Sequence, residues 1–139
     1  MLLRVMRALK GGYEGSLEKL HDAAADYADL EKKIRSLGSG IGPATANIFL
    51  RELRGVWAKA TPPLSPPAQA AAEHLKLAPT GLSPEAALAA LEGHWQRQPV
   101  PGADFADLEA ALVRLGRDFC RKPRASPCPM GPACGRGRE

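Results

Sequence analysis

The chain has 139 residues, of which 45% are hydrophobic but only 5% aromatic, and its formal net charge at pH 7 is +4. This length suits one domain, or one compact domain with a small appendage, and a core rich in Ala and Leu favours helices. No run approaches the ~20 apolar residues of a membrane-spanning helix and MLLRVM does not have the pattern of a secretory signal, so we expect a soluble cytoplasmic protein without membrane partners.

Apolar residues recur at helical spacing along nearly the whole chain, and no stretch alternates like a strand. The predicted fold class is therefore all-α. The apolar positions of the first four predicted helices are Leu2, Val5, Met6 and Leu9; Leu17 and Leu20; Leu30, Ile34 and Leu37; and Ile48, Phe49 and Leu53.

Two later helices have strong start signals. Ser65 and Ser83 each place a hydroxyl immediately before a proline. A hydroxyl at the N-cap and a proline at the first helical position are both typical of helix starts. These signals predict helices over 68–75 and 85–95.

The last helix is predicted over 104–119, because Asp104 and Asp107 can form a capping pair ahead of an apolar stripe. Residues 120–139 have little regular pattern and contain all three cysteines. We therefore predict a helical domain over 1–119, followed by a cysteine-containing loop and a basic tail.

The stretch GSGIGPATAN (38–47) predicts a tight turn between two helices. Gly40 and Gly42 can adopt positive φ and let another backbone come close. Ile41 would insert into the core, and Pro43 would start the next helix. The N–H groups exposed at that helix start would form an anion pocket, which the helix dipole strengthens.

The longer stretch EKKIRSLGSGIGPATANIFLRELRGVW resembles the helix-hairpin-helix region of the endonuclease III superfamily of DNA glycosylases. The resemblance implies that a motif over about 30–54 holds a duplex-DNA phosphate through backbone amides, often with a monovalent cation on the hairpin carbonyls. Such a contact is independent of DNA sequence and weakens with salt. The implied DNA-binding residues are Gly40, Ile41, Gly42, Ala44 and Thr45 of the hairpin and Lys32, Lys33, Arg35, Arg51 and Arg54 of its helices.

The distribution of charge agrees with this interpretation. Residues 31–59 hold six Lys or Arg against two acids and residues 117–139 hold six against two, whereas residues 60–116 hold three against six. Basic segments on both sides of an acidic one are typical of a surface that faces phosphate, although solvated helix faces and a charged tail would give the same counts.

The catalytic groups of the superfamily are missing from the positions that match its motifs. Ala44 stands where bifunctional members have a lysine, and the aspartate of monofunctional members would fall near Pro62. Glu52 and Glu73 are weak candidates for a relocated carboxylate, because glutamates on a helix surface are common. We therefore expect glycosylase and lyase chemistry to be lost.

The C-terminal cysteines resemble the [4Fe–4S] loop of the superfamily, in which four cysteines have the spacing C-x6-C-x2-C-x5-C. Cys128 and Cys134 keep the last interval and Cys120 the first ligand, but the second ligand falls at Ala125. A metal-free loop, a cluster with an incomplete ligand set, a zinc site and a disulfide are the alternatives, the disulfide being disfavoured in a reducing compartment. In each case Arg121, Lys122, Arg124, Arg136 and Arg138 would form a second phosphate-facing patch.

The resemblance covers about residues 5–135, but the superfamily has further helices before the first helix here. It therefore implies a trimmed helical barrel, or one that a second copy or another polypeptide completes. The function predicted is non-catalytic binding of double-stranded DNA, related to base-excision repair. The alternatives are an active DNA glycosylase that uses a relocated carboxylate or a partner chain, and a structural interaction protein that retains only the fold.

Overall fold

The computed structural model describes residues 1–122 and 128–134. Within these residues the regular structure consists of seven α-helices, a π-helical turn and a 3₁₀ turn, and contains no strand. The prediction of an all-α chain is therefore confirmed. None of the helices described is both long enough and apolar enough to cross a bilayer.

The chain forms two compact units, residues 1–62 and residues 63–139, and each has its own hydrophobic core. The first unit contains the helices α1 (Leu2–Tyr13), α2 (Leu17–Ala23), α3 (Tyr27–Ser36) and α4 (Pro43–Arg51). Its core is formed by Leu9, Leu20, Ala24, Leu30, Ile34, Leu37, Ala46, Leu50 and Ala60. Local caps define two of the helix starts, because the Ser16 hydroxyl accepts the N–H of Lys19 at 3.2 Å and the Asp26 carboxylate accepts that of Asp29 at 2.8 Å.

Trp57 and Lys59, in the segment that follows α4, contact His21 of α2. The rings of His21 and Trp57 stack with their centroids 4.9 Å apart. The backbone N–H of Lys59 donates to Nε2 of His21 at 3.3 Å, and the Lys59 ammonium donates to the His21 carbonyl at 3.1 Å. These contacts close the first unit around its core.

The second unit contains α5 (Pro66–His74), α6 (Pro84–Arg97) and α7 (Phe105–Leu115), then the π-helical turn Gly116–Cys120 and the 3₁₀ turn Gly131–Ala133. Its core is rich in alanine and consists of Leu64, Ala68, Ala71, Ala72, Ala78, Ala87, Leu91, Leu112 and Cys120. Small residues let helices approach closely, and at Gly116 an added Cβ would overlap the backbone carbonyl of Pro67. The π-helical turn therefore packs directly on the first turn of α5.

Two of the three predicted cap signals are found in the structure. The Ser83 hydroxyl accepts the N–H of Ala86 at 3.2 Å, and Asp104 and Asp107 form a reciprocal capping box at 2.9 and 3.0 Å. The prediction that Ser65 caps its helix through the hydroxyl is wrong, since that hydroxyl is buried and makes no hydrogen bond in the described structure. Prolines fill the first two positions of α5, which removes one of the two amides that an N-cap oxygen usually accepts from.

The predicted apolar stripe of the fourth helix is also corrected. Ile48 and Phe49 are exposed, by 52% and 37%, whereas Ala46 and Leu50 are fully buried. Residues four apart share one helix face, and here the face that contains Ala46 and Leu50 is turned to the core. Leu53 lies beyond the end of α4, in the turns that follow it.

Candidate nucleic-acid interface

The turn between α3 and α4 lies at the surface of the first unit. Gly40 is exposed, while Ile41 is half-buried and packs against the core, as the sequence predicted. The N–H of Ile41 donates to the Gly38 carbonyl at 3.1 Å and closes the turn. The backbone on either side of Ile41 is therefore held in place while its outer face stays accessible.

The glycines of this turn do not use the freedom that the sequence suggested. Gly42 has φ −89° and ψ −179°, and neither Gly40 nor Gly42 has positive φ. The steric requirement lies at Gly38, where a Cβ would be 3.1 Å from Cγ2 of Val5, so that a glycine there lets α1 approach the turn. A Cβ at Gly40 would overlap only the end of the flexible Met1 side chain, which can move away. A Cβ at Gly42, by contrast, would meet nothing within 4 Å.

The start of α4 has unsatisfied donors. Gly42 is the N-cap residue and offers no side chain, and Pro43 has no N–H. In any α-helix the first amides lack an intrahelical acceptor, so those of Ala44 and Thr45 depend on solvent or a ligand. Both residues are exposed. The arrangement can accept an anion, and the helix dipole favours one there.

A groove of about 570 Å³ runs beside the turn on the side of α3. Its lining includes two exposed cations, Lys32 and Arg35, together with the turn residues Gly38 and Ser39. Glu31 also lines the groove and lies 3.7 Å from Arg35. Pairs four residues apart on a helix surface contribute only a few tenths of a kcal/mol, so Arg35 can exchange Glu31 for another anion.

The remaining predicted cations of the hairpin helices are less available. Lys33 pairs with Asp29 at 3.7 Å. The side chain of Arg51 is only 12% exposed and lies 3.5 Å from Glu52. Arg54 is half-buried, and none of the three lines the groove.

Arg54 belongs to a small polar network inside the unit. Burial is the main cause that raises the pKa of Tyr27 to about 12, followed by the charge of Glu31 and a hydrogen bond with it, while the charge of Arg54 acts in the opposite direction. The guanidinium of Arg54 thus acts on a residue of α3. Of the five predicted cations, the structure brings Lys32 and Arg35 to the turn.

The predicted C-terminal patch is described only in part. Arg121 and Lys122 are exposed and belong to the second unit. Arg124, Arg136 and Arg138 lie outside the described residues, as does Ala125.

The positions that match the catalytic groups of the superfamily have no reactive side chain. Ala44 is exposed in the first turn of α4, and Pro62 is fully buried. Glu52 and Glu73 belong to different units, and Glu73 accepts a hydrogen bond from Gln69 at 3.2 Å. Neither carboxylate lines the groove beside the turn.

None of the three cysteines forms a disulfide with another residue that the structure describes. Cys120 is buried in the core of the second unit, and Cys128 and Cys134 are half-buried. Among the residues described, no three or more His, Cys, Asp or Glu side chains come together as metal ligands. Metal binding by the cysteines, one of the alternatives that the sequence left open, stays a prediction.

One cation near the turn could not be recognised from the sequence. A cavity of about 200 Å³ is lined by Met1, Arg4, Gly38, Ser39 and Gly40. Arg4 is far from the turn in sequence and carries no local motif. Only the packing of α1 on the turn brings it there.

Comparison of the chain with family models, with curated proteins and with solved structures finds no match. The resemblance to the endonuclease III superfamily therefore depends on the motif residues alone.

Proposed function

We propose that this chain is a non-catalytic protein that binds double-stranded DNA, with a helix-hairpin-helix fold like that of the endonuclease III superfamily and a role related to base-excision repair. The observation that carries the proposal is the start of α4. It is uncapped, exposed and preceded by a surface turn whose groove contains Lys32 and Arg35. A phosphate placed there would accept hydrogen bonds from the amides of Ala44 and Thr45.

Contacts of this kind determine how binding depends on conditions. Backbone amides read no bases, so affinity should vary little with DNA sequence. Each phosphate neutralised by a cation releases counterions and adds about −0.9 to the slope of log K against log salt. The two cations at the groove should together contribute about −2 to this slope.

Fluorescence anisotropy with a short labelled duplex tests the proposal. We expect saturable binding that weakens between about 50 mM and 200 mM salt. Lys32→Gln should weaken binding and make the slope shallower by about one, whereas Lys10→Gln, on the last turn of α1, should change neither. Absence of binding at low salt, or binding indifferent to salt, would overturn the proposal.

We do not propose glycosylase activity, because Glu52 and Glu73 lie outside the groove and Ala44 cannot act as a nucleophile. Oligonucleotides that carry uracil, an oxidised pyrimidine or an abasic site test this choice. Excision that is abolished by Glu52→Gln or Glu73→Gln would favour the enzyme.

A second candidate function is supported by α1. Leu2, Leu3 and Met6 are exposed on this helix. An apolar face of this kind suits contact with another polypeptide, as expected of a structural interaction protein or of a barrel completed by a second chain. Light scattering after gel filtration tests self-association, and a dimer that Leu3→Glu converts to monomer would support this candidate.

A further inference from the structure

We propose that Arg4 contacts a second phosphate of the bound DNA strand, in a cavity next to the groove that contains Lys32 and Arg35. This inference rests on the proposed function and extends it to a residue outside the helix-hairpin-helix motif. The strand would cross the turn, with one phosphate near α3 and the start of α4 and another near α1.

Two neighbouring cavities lie beside the turn between α3 and α4. The groove on the α3 side and the smaller cavity on the α1 side are both lined by Gly38 and Ser39. These two residues therefore form a common wall. Each cavity also has a cation, Arg4 in the smaller one and Lys32 with Arg35 in the larger.

The two cavities differ in the charged residues that line them. No acidic residue lines the smaller cavity, and Arg4 is exposed and forms no ion pair with any residue that the structure describes. Arg35, by contrast, already has Glu31 beside it. Of these two arginines, only Arg4 can bind an anion without first giving up an ion pair. Its planar guanidinium also suits bidentate contact with a phosphate.

A contact between Val5 and Gly38 fixes α1 against the turn. Val5 follows Arg4 directly, and its Cγ2 would lie 3.1 Å from a Cβ placed on Gly38. Val5 also belongs to the partly buried residues packed on the core. The backbone at Arg4 is thus held close to the turn. Each DNA strand presents a phosphate about every 3.4 Å of helix axis, so neighbouring phosphates can face the two neighbouring cavities.

The test compares two arginines of the same helix by anisotropy with the labelled duplex over a series of salt concentrations. Arg4→Gln should weaken binding about tenfold and make the slope of log K against log salt shallower by about one. Arg7→Gln removes the same charge from α1 one turn later, but Arg7 lines neither cavity. It should weaken binding less than about twofold and leave the slope unchanged. Arg4→Lys should keep the slope and lose part of the affinity.

The outcomes separate this inference from the proposed function. If the wild-type chain binds and Lys32→Gln weakens binding, but Arg4→Gln behaves like Arg7→Gln, then Arg4 makes no phosphate contact and the proposed function still stands. If the wild-type chain does not bind the duplex, both fail. Circular dichroism and thermal melts of each variant exclude loss of folding, which is not expected because both arginines are exposed.

Discussion

Replacing Gly42 with serine should stabilise the folded protein and lower its affinity for duplex DNA. Gly42 is the N-cap of α4, has extended backbone angles and has nothing within 4 Å of the position that a Cβ would take. A serine there fits without strain, and its hydroxyl can accept the N–H of Thr45. The chain already contains this arrangement, since Ser83 precedes a proline and accepts the N–H of Ala86 at 3.2 Å.

The two effects have different magnitudes. Serine exceeds glycine as an N-cap by a few tenths of a kcal/mol, which should raise Tm by about 1–2 °C. The serine hydroxyl, however, would accept the N–H of Thr45, which we assign to the phosphate. The serine Cβ would also leave the phosphate less room beside this N–H group. A hydrogen bond to a charged group contributes roughly 1.5–3 kcal/mol, so the duplex affinity should fall at least about tenfold.

Thermal melts and duplex anisotropy on the same preparations measure both effects. Gly12→Ser is the matched control, because Gly12 lies in α1 and a Cβ there also meets nothing within 4 Å. This control should raise Tm through helix propensity and leave DNA binding unchanged. A Gly42→Ser variant that is stabilised and still binds the duplex as tightly as wild type would refute the assignment of the phosphate to these amides.

Other predictions concern stability. Gly116→Ala should lower the free energy of unfolding, measured by urea titration, by at least about 2 kcal/mol, because the new Cβ overlaps the Pro67 carbonyl. Gly93→Ala should not destabilise the protein, because its Cβ would only touch the flexible side chain of Arg97 at 3.5 Å. Equal effects of the two substitutions would contradict the packing of Gly116 on Pro67. Asp104→Ala should cost about 1 kcal/mol through loss of the capping box of α7, and an unchanged unfolding midpoint would show that the cap contributes nothing. Ultraviolet titration should detect a tyrosinate transition near pH 12 from Tyr27, against an ordinary value of 10.0. Because the folded-state pKa is raised, stability should fall as pH rises from 10 to 12, and a single transition near pH 10 in folded protein would contradict the burial of this ring.

Features of the fold that depend on residues close together in the chain could be predicted from the sequence. The caps at Ser83 and Asp104 involve an amide three residues away, within one helical turn, so the local pattern is sufficient. Ile48 and Phe49 were placed wrongly because periodicity shows that a helix has an apolar face but not which residues the neighbouring helices cover. The predicted hydroxyl cap at Ser65 is wrong because a second proline, Pro67, removes one of the backbone N–H groups that such a cap would accept from.

The candidate site shows the same division. The position of the surface turn between α3 and α4 could be predicted from its glycines and proline, although Gly40 and Gly42 do not adopt the positive φ that they suggested. The sequence also places Lys32 and Arg35 on the helix before the turn. Arg4 could not be found in this way, since the contact of Val5 with Gly38 joins residues far apart in the chain. The burial of Arg51 likewise depends on how the helices of the first unit pack.

The most direct test of the phosphate site is to titrate the ¹⁵N-labelled chain with a short DNA duplex and to follow its backbone amides in ¹H–¹⁵N correlation spectra. We expect the largest chemical-shift changes at the amides of Ala44 and Thr45 and smaller ones at Gly38 and Ser39, and we expect added salt to reverse them. Unchanged signals at Ala44 and Thr45, while other amides shift and the duplex is bound, would contradict the account.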